Sequence, residues 1–213
     1  MTIRRDIHEL DKKTLLLKEQ GGARSFDSIL ETDTKLNKFK KEKSILGHYI
    51  NELISPGDVV FLGAGTTIYY ATKNINFSEV TVITNSLLTF SSLSKSKSID
   101  IYLTGGEFFS KTAEFYGSHA ERLLEDFIIK TAFLSTNGIL DNSLTTSLPL
   151  LGPIQEKILK LAETKFLVAD SSKFNVADKY VFGKTSNLDG IITDANISQE
   201  NIHKYSQLTK LFY

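Results

Sequence analysis

Asp58-Val59-Val60-Phe61-Leu62-Gly63-Ala64-Gly65-Thr66-Thr67 is the stretch on which the fold turns. A short apolar run ends at two glycines one residue apart, two threonines follow, and residues 68–75 suit a helix. The pattern predicts a buried strand, a tight turn and a helix start. A helix start presents backbone N–H groups without intrahelical partners, at the positive end of the helix dipole. Glycine lets a ligand approach the backbone, and the Thr66 and Thr67 hydroxyls add hydrogen bonds. Such a turn suits an anion, for instance a phosphate. Read alone it is also a plain strand-to-helix connection, and the choice rests on what recurs downstream.

Working outward, strand-like and helix-like segments alternate. Strands are expected at 59–62, 80–84, 100–103, 131–135, 165–169 and 190–193, and helices at 68–75, 87–94, 118–126, 153–163 and 199–205. In the helix from Pro153, Ile154, Ile158 and Leu161 share a face, and proline suits a first helical turn. Upstream, Leu36, Phe39, Leu46, Ile50 and Leu53 line one side of another helix, with Lys38, Lys40 and Lys41 off it. Alternation of this kind implies an α/β fold: an open, mostly parallel sheet flanked by helices.

Open α/β sheets bind ligands beyond the carboxyl ends of their strands. Five successive strand ends carry small, hydroxyl, amide or glycine residues: Gly63, Gly65, Thr66 and Thr67; Thr84, Asn85 and Ser86; Thr104, Gly105 and Gly106; Ser135, Thr136, Asn137 and Gly138; Asp170, Ser171, Ser172 and Lys173. Each is an ordinary turn. Together they would surround one crevice with neutral hydrogen-bonding groups and a single cation, Lys173. That arrangement suits a polyhydroxylated ligand with an anionic group; Lys173 is otherwise a solvated turn lysine. Asp170, opening a serine-rich turn, is expected to cap a backbone N–H.

Composition sets the outer limits. With 213 residues, 41% hydrophobic and 23% charged, the chain has the make-up of a globular protein with a sizeable core. Net charge is zero; residues 1–24 hold six Lys/Arg against four Asp/Glu, too slight a basic bias to argue for nucleic acid by itself. The absence of cysteine excludes disulfides and thiol chemistry and fits a cytoplasmic location, and no apolar run approaches a membrane span. His8, His48, His119 and His203 are isolated, so no metal site is expected. Gly63-x-Gly65 lacks the third glycine of a dinucleotide fingerprint, and no Gly-x-Ser-x-Gly elbow occurs, so neither a cofactor nor an acyl-transfer serine is expected.

The N-terminal residues carry a specific likeness. Ile3, Ile7 and Leu10 fall at helical spacing, Arg4 and Arg5 lie off that face, and a short strand and Gln20-Gly21-Gly22-Ala23 follow. The residues alone read as an amphipathic helix with solvated charges, or as a helix whose arginines contact phosphates or guanine edges. The order of Thr2 to Leu10 and the glycine turn resembles the recognition helix and wing of the DeoR family of sugar-metabolism repressors. Thr14 departs from that pattern, where the family often places glycine. The later turns resemble the same family in order: residues 61–67, 81–86, Thr104-Gly105-Gly106, Gly117, 136–139, 170–174 and Thr193-Asp194. The chain starts inside the helix that the family uses for recognition, so the resemblance implies a remnant of a winged helix-turn-helix at 1–24, a linker at 25–34 and an effector-binding and oligomerisation domain at 35–213. These 213 residues are expected to bind operator DNA poorly or not at all.

What the resemblance implies is a sensor related in fold to ribose-5-phosphate isomerase, which binds a phosphorylated sugar and thereby changes its grip on operator DNA. Thr2, Arg4 and Arg5 would touch DNA. Gly63, Gly65, Thr66 and Thr67 would form the phosphate turn, and Asn85, Ser86, Gly105, Thr136, Asn137, Gly138 and Lys173 would line the sugar. Gly63 and Pro153 stand where many members carry an acidic residue, and Tyr70 where some do. The isomerases need a carboxylate base, and the turn at 136–139 has none, so no catalysis is expected. A sugar-phosphate isomerase with a displaced base and a ligand-free interaction domain remain as alternatives.

Overall fold

The structure, a computed structural model, describes residues 16–19, 22–25 and 40–213. The recognition-helix reading at 2–11, with Thr2, Arg4 and Arg5, lies outside those residues, as do nearly all of the 25–34 linker and positions Leu36 and Phe39. Two short strands upstream, β1 (Leu16–Glu19) and β2 (Gly22–Ser25), pair antiparallel, Leu16 opposite Ser25. β1 falls on the short strand expected before the glycine turn, and β2, which starts at Gly22, was not expected.

The opening stretch forms β3 (Val59–Leu62), the turn at 63–65 and helix α2 (Thr66–Ala71), which a 3₁₀ turn extends to Asn74. Helix α1 (Lys40–Glu52) precedes it. The sheet around β3 is open, seven-stranded and parallel throughout. Its order is β14-β13-β11-β8-β3-β4-β5, with β4 (Val80–Thr84), β5 (Ile99–Leu103), β8 (Thr131–Leu134), β11 (Thr164–Val168), β13 (Gly190–Ile192) and β14 (Lys210–Phe212).

Strands of a sheet covered on both faces are apolar along their length. β3 obeys this because successive side chains point to opposite faces. Val60 and Leu62 join Val82, Phe133 and Val168 in one core, with Leu46 and Ile50 of α1, Ile68 of α2 and Leu93 of α3 (Leu87–Leu93). Phe61 joins Ile83, Ala132, Leu134 and Leu167 in the other, with Ala120 of α4 (Ser118–Leu123), Ile154 and Ile158 of α5 (Gly152–Leu161), and Tyr205 of α6 (Gln199–Tyr205). Leu161, expected on the buried face of α5, ends the helix 36% exposed.

Two small antiparallel units were not foreseen. One is the hairpin of β6 (Glu107–Phe109) and β7 (Glu114–Tyr116); the other is the sheet β12-β10-β9, built from β9 (Gly138–Leu140), β10 (Ser143–Thr146) and β12 (Tyr180–Lys184). No helix among the described residues is long and apolar enough to cross a membrane.

Candidate ligand-binding site

From β3 the chain runs outward through β4 to β5, then returns to the other flank of β3 with β8. β3 and β8 therefore flank the point where strand order reverses, the position at which open α/β sheets bind ligands. A crevice lies there. Ala64, Gly65 and Thr66 enter it from the turn after β3, and Ser135, Thr136 and Asn137 from the turn after β8. Thr112 and Glu114 come from the β6–β7 hairpin, Leu88 from α3, Thr146 and Ser147 from the end of β10, and Leu151 and Gln155 from the start of α5. The crevice holds about 50 Å³, room for a few waters.

Gly65 is required by geometry. Its φ is 136°, and a Cβ would meet Ser135 Oγ at 2.2 Å. This close approach brings the two turns together, and Ser135 Oγ donates to Ala64 O at 2.5 Å. Thr136 Oγ1 donates to Gly138 O and Thr145 O, both at 2.9 Å, which fixes the β8 turn against β10. Asn137 Nδ2 donates to Asp178 Oδ2 at 2.8 Å.

Of the residues read from the sequence, Gly65, Thr66, Thr136 and Asn137 meet in this crevice, whereas Gly63, Thr67, Asn85, Ser86, Gly105, Gly138 and Lys173 do not line it. Gly63 N–H donates to Phe133 O at 2.9 Å, within the sheet. Thr67 is buried in α2. Asn85 Nδ2 donates to Phe115 O at 3.2 Å, and Ser86 Oγ caps α3 by accepting from Thr89 N–H at 3.2 Å; both residues hold the hairpin and helix beside the crevice. Gly105 is half-buried at φ 63°. Gly138 is packed so closely that a Cβ would meet Val176 O at 2.2 Å. Lys173 is half-buried in the 3₁₀ turn Ser171–Lys173.

The cation beside the crevice is instead Lys43 of α1. Its side chain is 4% exposed; its ammonium donates to Thr66 Oγ1 at 3.1 Å and lies 3.9 Å from Asp170 Oδ2. Asp170 does not cap a backbone N–H as expected. Its Oδ1 accepts from Ser172 Oγ, and the Ser171 N–H is taken by Asp194 Oδ2 at 2.7 Å. Asp141 lies on the surface, paired with Lys204 at 2.8 Å. The crevice also holds a carboxylate, Glu114, only 9% exposed. The expected neutral lining with Lys173 as its sole charge is therefore corrected: Glu114 lines the crevice and Lys43 is bonded to its wall.

A parallel α/β sheet with a polar crevice at its reversal point has the architecture in which open α/β domains hold small ligands. The comparisons narrow this. Residues 38–195 match the DeoR C terminal sensor domain, and residues 1–29 match the DeoR-like helix-turn-helix domain. The chain belongs to the DeoR family of transcriptional regulators. It is 34% identical to the lactose phosphotransferase system repressor of Staphylococcus epidermidis, over 98% of this chain and 86% of that protein. It is 36% identical to the repressor of the same description from Lactococcus lactis, over 99% and 86%. With the transcriptional repressor GlcR of Bacillus subtilis identity is 30%, over 91% and 76%. Among solved structures, a D-ribose-5-phosphate isomerase in complex with phospho-erythronic acid is similar with a TM-score of 0.46 and 18% identity, covering 63% of this chain and 54% of that one.

Proposed function

We propose that this chain regulates a sugar-utilisation operon as a repressor, and that its crevice binds a phosphorylated sugar which alters its grip on operator DNA. The observation that carries the reading is the meeting of Gly65 and Thr66 with Thr136 and Asn137 at the reversal of strand order, with the buried ammonium of Lys43 bonded to Thr66. Gly65, Thr66 and Lys43 then hold the phosphate, and Ser135, Thr136 and Asn137 face the sugar. Sugar metabolism enters through the relatives, two of which are lactose phosphotransferase system repressors.

In this reading Thr2, Arg4 and Arg5 contact the operator, residues 25–34 link the DNA-binding part to the sensor at 35–213, and the protein works in the cytoplasm as a homo-oligomer. The ligand acts by differential affinity for DNA-binding and non-binding states. The protein is not an enzyme: the relatives are regulators, although Glu114 supplies a carboxylate that the turn at 136–139 lacks. Steady conversion of ribose 5-phosphate by the purified chain would overturn that point.

The test is thermal denaturation with sugar phosphates, each beside its unphosphorylated parent. At a hundred times its dissociation constant a ligand adds about 2.7 kcal/mol, a rise in midpoint of roughly 5–11 °C for a chain of this size. The expected result is a rise with a phosphorylated sugar, absent with its parent and lost in T66V. No rise with any sugar phosphate at millimolar concentration favours a ligand-free interaction domain.

A further inference from the structure

Residues 1–29 match the helix-turn-helix domain and the crevice lies in the sensor, so an occupied crevice reaches the DNA-binding part through the elements that join the two. Helix α1 is the first helix described after that match. Its main neighbours are α2 and the 3₁₀ turn that extends α2, and no strand among the described residues meets it as extensively. α2 in turn begins at Thr66, in the crevice wall.

The contact between α1 and α2 is fastened along its length. At the crevice end the Lys43 ammonium donates to Thr66 Oγ1 at 3.1 Å. Midway, Gly47 passes so close to α2 that a Cβ would meet Ala71 O at 2.3 Å. Beyond it, Asn74 Nδ2 donates to Ser44 O at 2.6 Å and to Ser44 Oγ at 2.7 Å, and Asn51 Nδ2 donates to Asn74 O at 2.7 Å. Toward the sheet α1 presents Leu46 and Ile50, whose apolar contact is non-directional. Lys43 stands farther from the sheet's Asp170 Oδ2, at 3.9 Å, and that oxygen receives no hydrogen bond among the described residues. Directional bonds thus tie α1 to α2, while its apolar contact with the sheet tolerates sliding.

We infer that α1 and α2 move as one body when the crevice fills, and that α1 is the output of the sensor, carrying ligand occupancy toward the DNA-binding part. This rests on the sugar-phosphate reading above and names the regulation of that site. A hydroxyl that accepts from Lys43 still has a proton to donate. A ligand oxygen that takes it strengthens the bond from Lys43 to Thr66, because chained hydrogen bonds polarise one another. The ammonium has two acceptors within reach, and the ligand favours Thr66 over Asp170. That difference is what a ligand needs to shift a population. The turn at 63–65 stays with β3, and the helix pair shifts beyond it by the sliding open to packed helices, about 1–2 Å.

The test uses paired spin labels on the full chain, which has no cysteine of its own. One pair, I45C/I128C, spans from α1 to the segment before β8; the other, I128C/V181C, avoids both helices and is the control, and all three positions are exposed. Distances are read by double electron–electron resonance without ligand and with the sugar phosphate that calorimetry finds tightest among ribose 5-phosphate, glucose 6-phosphate, galactose 6-phosphate and fructose 6-phosphate. The expected result is a shift of about 1–2 Å in the first pair on binding and none in the second. N51A/N74A, which cuts the bonds beyond Gly47, and G47A, which wedges the helices apart, each still bind the probe and lose most of that shift. A first pair that stays in place with the probe bound, a control pair that moves as far, or a shift of full size in both variants overturns the inference and leaves the sugar-phosphate reading standing. The two labelled pairs decide the matter even where a variant does not fold. Failure of every probe to bind the unaltered chain overturns both.

Discussion

Lys43 illustrates how one residue carries information that a tally of charges hides. It lies on the apolar side of α1, three residues before Leu46 and seven before Ile50, both fully buried. A lysine on the inward stripe of an amphipathic helix is the sequence signal that would have found it, since lysine is rarely buried unless paired. Its partner Asp170 is equally deep, and Asp170 Oδ2 receives no hydrogen bond among the described residues. Removing one member of such a pair leaves a buried uncompensated charge, whereas replacing both with apolar groups is often neutral. K43M is therefore expected to lose about 3–5 kcal/mol, and K43M/D170L to recover most of it, both read from urea unfolding. Equal loss in single and double variants would show that the pair is not what fixes these residues. Glu114 gave no comparable signal: the strand that buries it has three residues, too few for periodicity to show. Gly65 was legible, because glycine before a helix after an apolar run marks a special turn. G65A meets both a positive φ and Ser135 Oγ, and is expected to cost about 2 kcal/mol. G65A/S135G removes the clash but not the backbone strain, so only part of that loss should return.

At the scale of elements, legibility followed burial. β3 and β4 were read to the residue because helices cover both faces, which makes their strands continuous apolar runs bounded by turn residues. The hairpin of β6 and β7 and the sheet of β9, β10 and β12 were missed because their strands are three to five residues long and rich in polar or exposed positions. Their pairing is also fixed by distant partners, as when Thr145 of β10 anchors Thr136, nine residues away, and Asp178, thirty-three away. These units supply Glu114, Thr112 and Thr146, which is why that part of the crevice wall could not be read from the chain order. Helix ends were more local. Ser198 Oγ accepts from Asn201 N–H at 3.2 Å at the start of α6, so S198A should cost about 1 kcal/mol in chemical denaturation. On the outer side of α5, Lys157 bonds Glu125, and that hydrogen bond, with the ammonium charge, holds the Glu125 carboxyl below its ordinary value of 4.5. A carboxyl lowered in the folded state stabilises above the unfolded value and loses the effect as pH falls through the folded one. The wild type is thus expected to exceed E125Q in stability slightly at pH 7 and to match it once the pH has dropped well below 4.5; an advantage that persists in acid would mean the pair contributes by packing instead.

The whole molecule poses a problem of space. Sites for small organic ligands usually offer about 300 Å³ or more, and the crevice holds about 50 Å³. A sugar phosphate therefore requires one wall to move. The turns after β3 and β8 belong to central strands paired on both sides, and their residues sit in two closed cores. The β6–β7 hairpin is held differently. It meets the end of β4 through Leu87 N–H to Ala113 O at 2.9 Å, Phe115 N–H to Asn85 O at 2.7 Å and the Asn85 side chain, and it packs through Phe109 on the small cluster of Leu148 and Leu151. Its buried apolar residues pack on that small cluster and not in the two large cores, and a segment outside the main cores opens at lower cost than the strands within them. Hydrogen exchange should accordingly place the Leu87 and Phe115 amides well below those of Val60 and Val82 in protection. Addition of a bound sugar phosphate should change Leu87 and Phe115 most, because the ligand shifts the population between open and closed hairpin by its differential affinity. F109A, which empties the small cluster, should raise exchange at Phe115 without altering Val60. If ligand instead protected all four amides equally, the hairpin would not be the moving wall, and entry would need the β3 and β8 turns to separate at Gly65 and Ser135, where the chain leaves the least room.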